Sequence, residues 1–85
     1  MSGPHQYTKK PVTISAMQYT GPNASIINTW TGGVFYKVPE QDKMRVATRE
    51  GHLDAEIGDF IIRGIEGEFY PCGEQIFHKT YNPVT

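Results

Sequence analysis

Cys72 and His78 are the residues of this chain whose types and spacing come nearest to covalent chemistry. A cysteine six residues ahead of a histidine, set just before a helix start at Gly73-Glu74, could be a thiolate favoured by the helix dipole and served by an imidazole. The simpler reading, and the preferred one, is a small part-buried side chain that ends a strand. Asp54 and Glu56 offer two carboxylates on one strand face, but a hairpin that sets Arg45 opposite Glu56 neutralises one of them. They read as a solvated face rather than an acid/base pair. His5, His52 and His78 share no metal-ligand spacing with Cys72. The glycines lie scattered at turns and form neither a phosphate loop nor a dinucleotide fingerprint. No catalytic residue, metal or cofactor is therefore expected.

Binding chemistry is better represented. The chain holds one tryptophan, five tyrosines and four phenylalanines, and several stand near cations. Tyr7 is close to Lys9 and Lys10, Phe35 and Tyr36 precede Lys37, and Arg63 is expected across a hairpin from Tyr70. Rings beside positive charge suit a nucleotide, with bases stacked on the rings and phosphates on the cations. Trp30 and Phe60 are exceptions, since each falls on an expected core face.

The elements that would position these residues follow from periodicity. "KPVTISAMQY" alternates, with Val12, Ile14 and Ala16 on one face, and predicts a strand. Asn23 is a candidate cap for a short helix through "ASIINTWT", with Ile26, Ile27 and Trp30 on one side and Gly32-Gly33 as its stop. "VFYKV" predicts another strand. Two hairpins follow, with two-residue turns at Glu50-Gly51 and Glu66-Gly67. The first register pairs Arg45 with Glu56, Arg49 with His52 and Val46 with Ala55. The second pairs Gly64 with Phe69, Arg63 with Tyr70 and Ile62 with Pro71. Phe60, Ile62 and Phe69 then face the core, and Ile61, Arg63, Ile65, Glu68 and Tyr70 share the other face. "GEQIFHKTY" predicts a short helix or turn, and "NPVT" a last edge strand. The sum is an α+β fold: a small curved antiparallel sheet of about five to six strands, with one main short helix packed on it. Residues 9–85 form this single domain, behind a flexible leader over residues 1–8.

Composition limits the function classes. A chain of 85 residues supports one modest core. Its net charge of -1 argues against a DNA or RNA polymer as partner, because such binding neutralises many phosphates. A small anionic ligand needs only one or two placed cations. No apolar run approaches the length of a membrane span, the N-terminal residues are polar, and Cys72 has no cysteine to pair with. A reducing cytosol is the expected compartment.

Four blocks, "KKPVTISAMQYTG", "WTGG", "GDFIIRGIEGEFYPC" and "IFHKTYNPV", resemble a widespread family of small proteins encoded by tailed phages and prophages. The resemblance runs from Lys9 to near the C-terminus and departs mainly in the loop around residues 37 to 43. It implies a protein of the host bacterial cytoplasm. Some members resemble viral sponges that bind the cyclic dinucleotide signals of bacterial CBASS immunity without cleaving them, often between subunits. On that reading the ligand set is Arg63, Tyr70 and Glu68, joined by Gln18 and Tyr19 of "AMQYTG" and by Lys10. Arg63 would hold phosphate at a sheltered boundary of a homo-oligomer, with Glu68 fixing its guanidinium and Tyr70 stacked beside it. Two alternatives stand beside this: a phage structural or accessory protein acting through protein-protein contacts alone, and a small hydrolase using Cys72.

Overall fold

The computed structural model describes residues 3–8 and 10–84. Met1 and Ser2 of the expected leader, Lys9 of the Tyr7-Lys9-Lys10 group and Thr85 of the expected last strand lie outside the described residues. The elements, in chain order, are β1 (Ser15–Gln18), α1 (Ala24–Trp30), β2 (Phe35–Lys37), β3 (Met44–Thr48), β4 (Gly51–Ala55), β5 (Phe60–Arg63), β6 (Phe69–Cys72) and α2 (Glu74–Thr80). The fold is α+β. Its six strands divide between two antiparallel sheets, β1-β5-β6 and β2-β3-β4, in place of one continuous sheet.

Apolar alternation explains the packing. Phe35, Met44, Val46 and Ala55 form the inner face of the β2-β3-β4 sheet, and Ile61, Met17 and Phe69 meet them from the other sheet. Ile27 of α1 completes this cluster, and Phe35, Val46, Ile27 and Ile61 are fully buried. A second helix, α2, rests against the outer face of the β1-β5-β6 sheet through a Phe60-Phe77 stack and a Gln18-Glu74 hydrogen bond, and buries no residue of its own. That sheet therefore has apolar residues on both sides, with Ile61 and Ile62 buried on opposite faces.

The α1 helix ends as its sequence predicts. Gly32 (φ 67) and Gly33 (φ 92) take the left-handed conformation, and their N–H groups donate to Thr29 O and Asn28 O at 3.1 and 2.9 Å. Its start differs. Asn23 makes no side-chain cap; its Oδ1 accepts from Thr20 N at 2.9 Å and its Nδ2 donates to Gln18 O at 2.7 Å. Asn23 instead folds the loop leaving β1. Ile26, expected in the core, is 60% exposed, because a seven-residue helix against one sheet edge buries a single narrow stripe.

Both hairpin registers differ from those expected. Arg45 pairs with Asp54 rather than Glu56, Val46 with Leu53, and His52 with Ala47 rather than Arg49. In the second hairpin Arg63 pairs with Phe69 and Ile62 with Tyr70. One cause accounts for both. A two-residue hairpin turn of the commonest kind centred on Glu50-Gly51 or Glu66-Gly67 needs positive φ at the glutamate. Among the described residues Glu40 is the one non-glycine with positive φ. The chain instead turns one residue early, through Arg49-Glu50 and Ile65-Glu66 with negative φ at all four, and the residue after the turn, Gly51 (φ 127) or Gly67 (φ 84), supplies the positive φ. The second loop is closed by Gly67 N donating to Gly64 O at 3.0 Å and Gly64 N to Glu68 O at 2.7 Å.

The consequences differ by parity. The first ladder moves by two residues and keeps its faces. The second moves by one, so Phe69 crosses to the face of Ile61 and Arg63. Ile61, expected on an exposed face, is fully buried, whereas Ile65 is 72% exposed at the turn. Gly64 makes room for the Glu68 carboxylate, not for the Phe69 ring. The segment 82–84 forms no strand.

Candidate functional site

The outer face of the β1-β5-β6 sheet carries Ala16, Gln18, Phe60, Ile62 and Tyr70, by strand alternation and register. Onto this face α2 is tied at its start and its middle. At its start Gln18 Nε2 donates to Gly58 O at 3.0 Å and to Glu74 Oε2 at 3.1 Å. Further along, Phe77 stacks on Phe60 with centroids 3.8 Å apart and planes within 3°. Glu74 in the first turn and His78 and Lys79 in the last complement the helix dipole.

Phe77 and Tyr81 are four residues apart and share one side of the chain, with ring centroids 5.1 Å apart. His78 meets Phe60 edge-on at 5.3 Å. The segment entering β1 and the segment leaving α2 run along either side of these rings. Between them lies an open groove of about 520 Å³, walled by Val12, Ile14, Phe60, Phe77, Tyr81 and Val84. Its polar members are Thr13, His78 and Asn82, and none of its lining residues is a lysine, arginine or carboxylate. Tyr70, beside Tyr81 but outside the groove lining, has its hydroxyl pushed up to about 12, chiefly by burial, with Tyr81 adding to the rise.

The six residues expected to hold ligand are not brought together. Arg63 is exposed at the end of β5, opposite Ser15 and Phe69 and on the face turned away from the groove. The expected Arg63-Tyr70 pair does not form, because the one-residue shift puts Tyr70 across from Ile62. Glu68 Oε1 accepts from Glu66 N at 3.0 Å, and among the described residues no carboxylate pairs with Arg63. Tyr19 packs edge-on against Phe35 at 5.2 Å in the core, and its backbone bonds Asp59 O and Gly58 N at 2.8 Å each. Gln18 anchors α2, and Tyr70 lies beside Tyr81. Lys10 is exposed, two residues ahead of the groove wall at Val12.

The residues suggested for chemistry also have defined neighbours. Cys72 Sγ donates towards Gly73 O at 3.6 Å, and burial, with Asp59 nearby, pushes the thiol up rather than down. His78 Nε2 lies 3.9 Å from Glu74. Asp54 accepts from Arg45 Nε at 2.8 Å and from Lys43 Nζ at 3.2 Å, and these bonds hold its carboxyl below the usual range. Tyr36, expected beside Lys37, instead places its hydroxyl 2.6 Å from His52 Nδ1. Arg49 Nη2 joins Glu66 at 2.6 Å and links the two hairpin tips. Among the described residues no three His, Cys, Asp or Glu side chains gather as a metal set. No helix there is long and apolar enough to cross a membrane.

Sequence reasoning passed over Phe77, Tyr81 and Asn82, and it assigned Phe60 to the core. A signal was present: "FHKTY" places two aromatics at helical spacing, beside a strand carrying a third. No protein-family model matches this chain, and neither the curated proteins nor the solved structures compared with it include a match. The likeness to small phage proteins rests on the quoted sequence blocks.

Proposed function

We propose that this protein is a phage-encoded binding protein that sequesters a cyclic dinucleotide immune signal in the host bacterial cytoplasm without cleaving it. One observation carries the binding part of this reading: an open groove floored by a Phe60-Phe77 stack and flanked by Tyr81. Its volume of about 520 Å³ lies in the usual range for small-molecule sites. Stacked aromatic rings hold bases of any identity through their π faces. Burial pushes the Cys72 thiol up, which speaks against Cys72 itself as a thiolate nucleophile at neutral pH. The immune-signal part rests on the sequence resemblance.

Self-association belongs to the same reading, on altered grounds. Ile61 no longer calls for a partner, but Ile57, Ile65 and Ile76 are each more than 60% exposed. Exposed isoleucines of this kind would equally suit a structural or accessory phage protein. A panel of cyclic di- and trinucleotides separates the two. Thermal shift and calorimetry should detect at least one ligand, recovered intact after heat denaturation, and light scattering should detect a ligand-stabilised oligomer. Failure of every ligand in the panel would leave the protein-protein role, and recovery of cleaved ligand would revive an enzyme using Cys72.

A further inference from the structure

Resting on the binding reading above, we infer that the groove holds one nucleobase of the ligand, reads its edge with Asn82 and Thr13, and leaves the phosphates outside. Two independent observations meet here. The first is the charge of the lining, which contains apolar and aromatic side chains, the hydroxyls of Thr13 and Tyr81, an amide and an imidazole, but no lysine or arginine. A phosphodiester drawn into such a place loses water without gaining a cation, and that is costly. A neutral planar heterocycle loses little and gains a stack.

The second observation concerns the groove's rim, where the Thr13 hydroxyl and the Asn82 amide are both exposed and so able to exchange water for a ligand edge. Val12, Thr13 and Asn82 lie outside regular structure, and among the described residues none of them takes part in a backbone hydrogen bond outside the ladders and helices. The Thr13 hydroxyl and the Asn82 amide are likewise without side-chain hydrogen bonds there. Apolar walls with exposed amide and hydroxyl groups along their rim match the edge of a purine or pyrimidine, which presents donors and acceptors in one plane. The asparagine amide is the member able to donate and accept side by side. Phosphates would then stay in solvent outside the groove, where the exposed Lys10 and Lys79 are the cations nearest in sequence to lining residues.

The test measures binding of adenosine, guanosine, inorganic phosphate and the cyclic dinucleotides by calorimetry, on wild type, Asn82→Leu and Tyr81→Ala. Thermal melting checks that each variant is folded. The inference predicts that free nucleosides bind and compete with a cyclic dinucleotide, while inorganic phosphate does not compete. Tyr81→Ala should weaken binding about tenfold through the lost stack. Asn82→Leu should change the ratio of adenosine to guanosine affinity about tenfold, with melting unchanged. If cyclic dinucleotides bind but neither variant alters affinity or preference, or if phosphate competes and nucleosides do not, the base-in-groove assignment is wrong while the sponge reading stands. If nucleosides bind through Tyr81 and no cyclic dinucleotide does, the assignment stands and the sponge reading falls. If nothing binds, both fall.

Discussion

Tyr70 gives the molecule its clearest dependence on pH. Its hydroxyl is neutral in the folded state up to about 12, whereas an unfolded tyrosine ionises from about 10. An acid whose folded value is raised contributes stability that is complete below its unfolded value and is lost as pH climbs through the folded one. Cys72 is shifted in the same direction, so its contribution fades first. Stability should therefore decline between about pH 9 and pH 12, and Tyr70→Phe should flatten the upper part of that decline in denaturant titrations. A variant that declines as steeply as wild type would remove Tyr70 as the cause. For Cys72, Cys72→Ser should retain ligand binding, with a stability loss of about 1 kcal/mol or less. Thiol alkylation of the native protein should be slow at neutral pH. At this scale the sequence was a partial guide, because its list of ligand residues scattered over the fold. The types of Arg63, Tyr70 and Glu68 were visible, but their company depended on a register that one residue of slip reverses.

The elements were more legible than their alignment. Six strands and the α1 helix follow from alternation, helical spacing and the glycine stops, and those signals are local. Register is not local, because it depends on which residue accepts a left-handed backbone. Gly67, with φ 84 and open space where a Cβ would stand, isolates that cost. Gly67→Ala should destabilise by about 1 kcal/mol, as a left-handed alanine does, while Gly73→Ala, at φ -60 with equal space, should lose less, its cost confined to a poorer cap for α2. Equal losses would mean that the loop tolerates the alanine by rearranging. The reversed faces of β5 are open to the same kind of test. Ile61→Ala should cost about 3 kcal/mol from the core, and Ile65→Ala within about 0.5 kcal/mol. The opposite order would restore the register expected from a Glu66-Gly67 turn.

At the scale of the whole molecule, α2 changes what the fold can do. A β1-β5-β6 sheet without α2 would leave Phe60 open to water, and Phe77 of α2 stacks on it while the flank of the helix stays open. The two ends of the chain close the sides of that opening, which is why no single sequence block announced it: Val12–Ala16 and Phe77–Val84 are distant in sequence. Arg63 lies on the other face, so Arg63→Ala should leave ligand affinity unchanged if the groove is the site. A loss of about 2 kcal/mol in binding would instead mark Arg63 as a phosphate contact. The most direct measurement is amide chemical-shift mapping of isotope-labelled protein titrated with a cyclic dinucleotide that stabilises it. The account predicts saturable shifts at Thr13, Phe60, Phe77, His78 and Asn82, and little change around the turn from Arg63 to Glu68. Shifts confined to that turn, or spread over the exposed face of the β2-β3-β4 sheet, would contradict it.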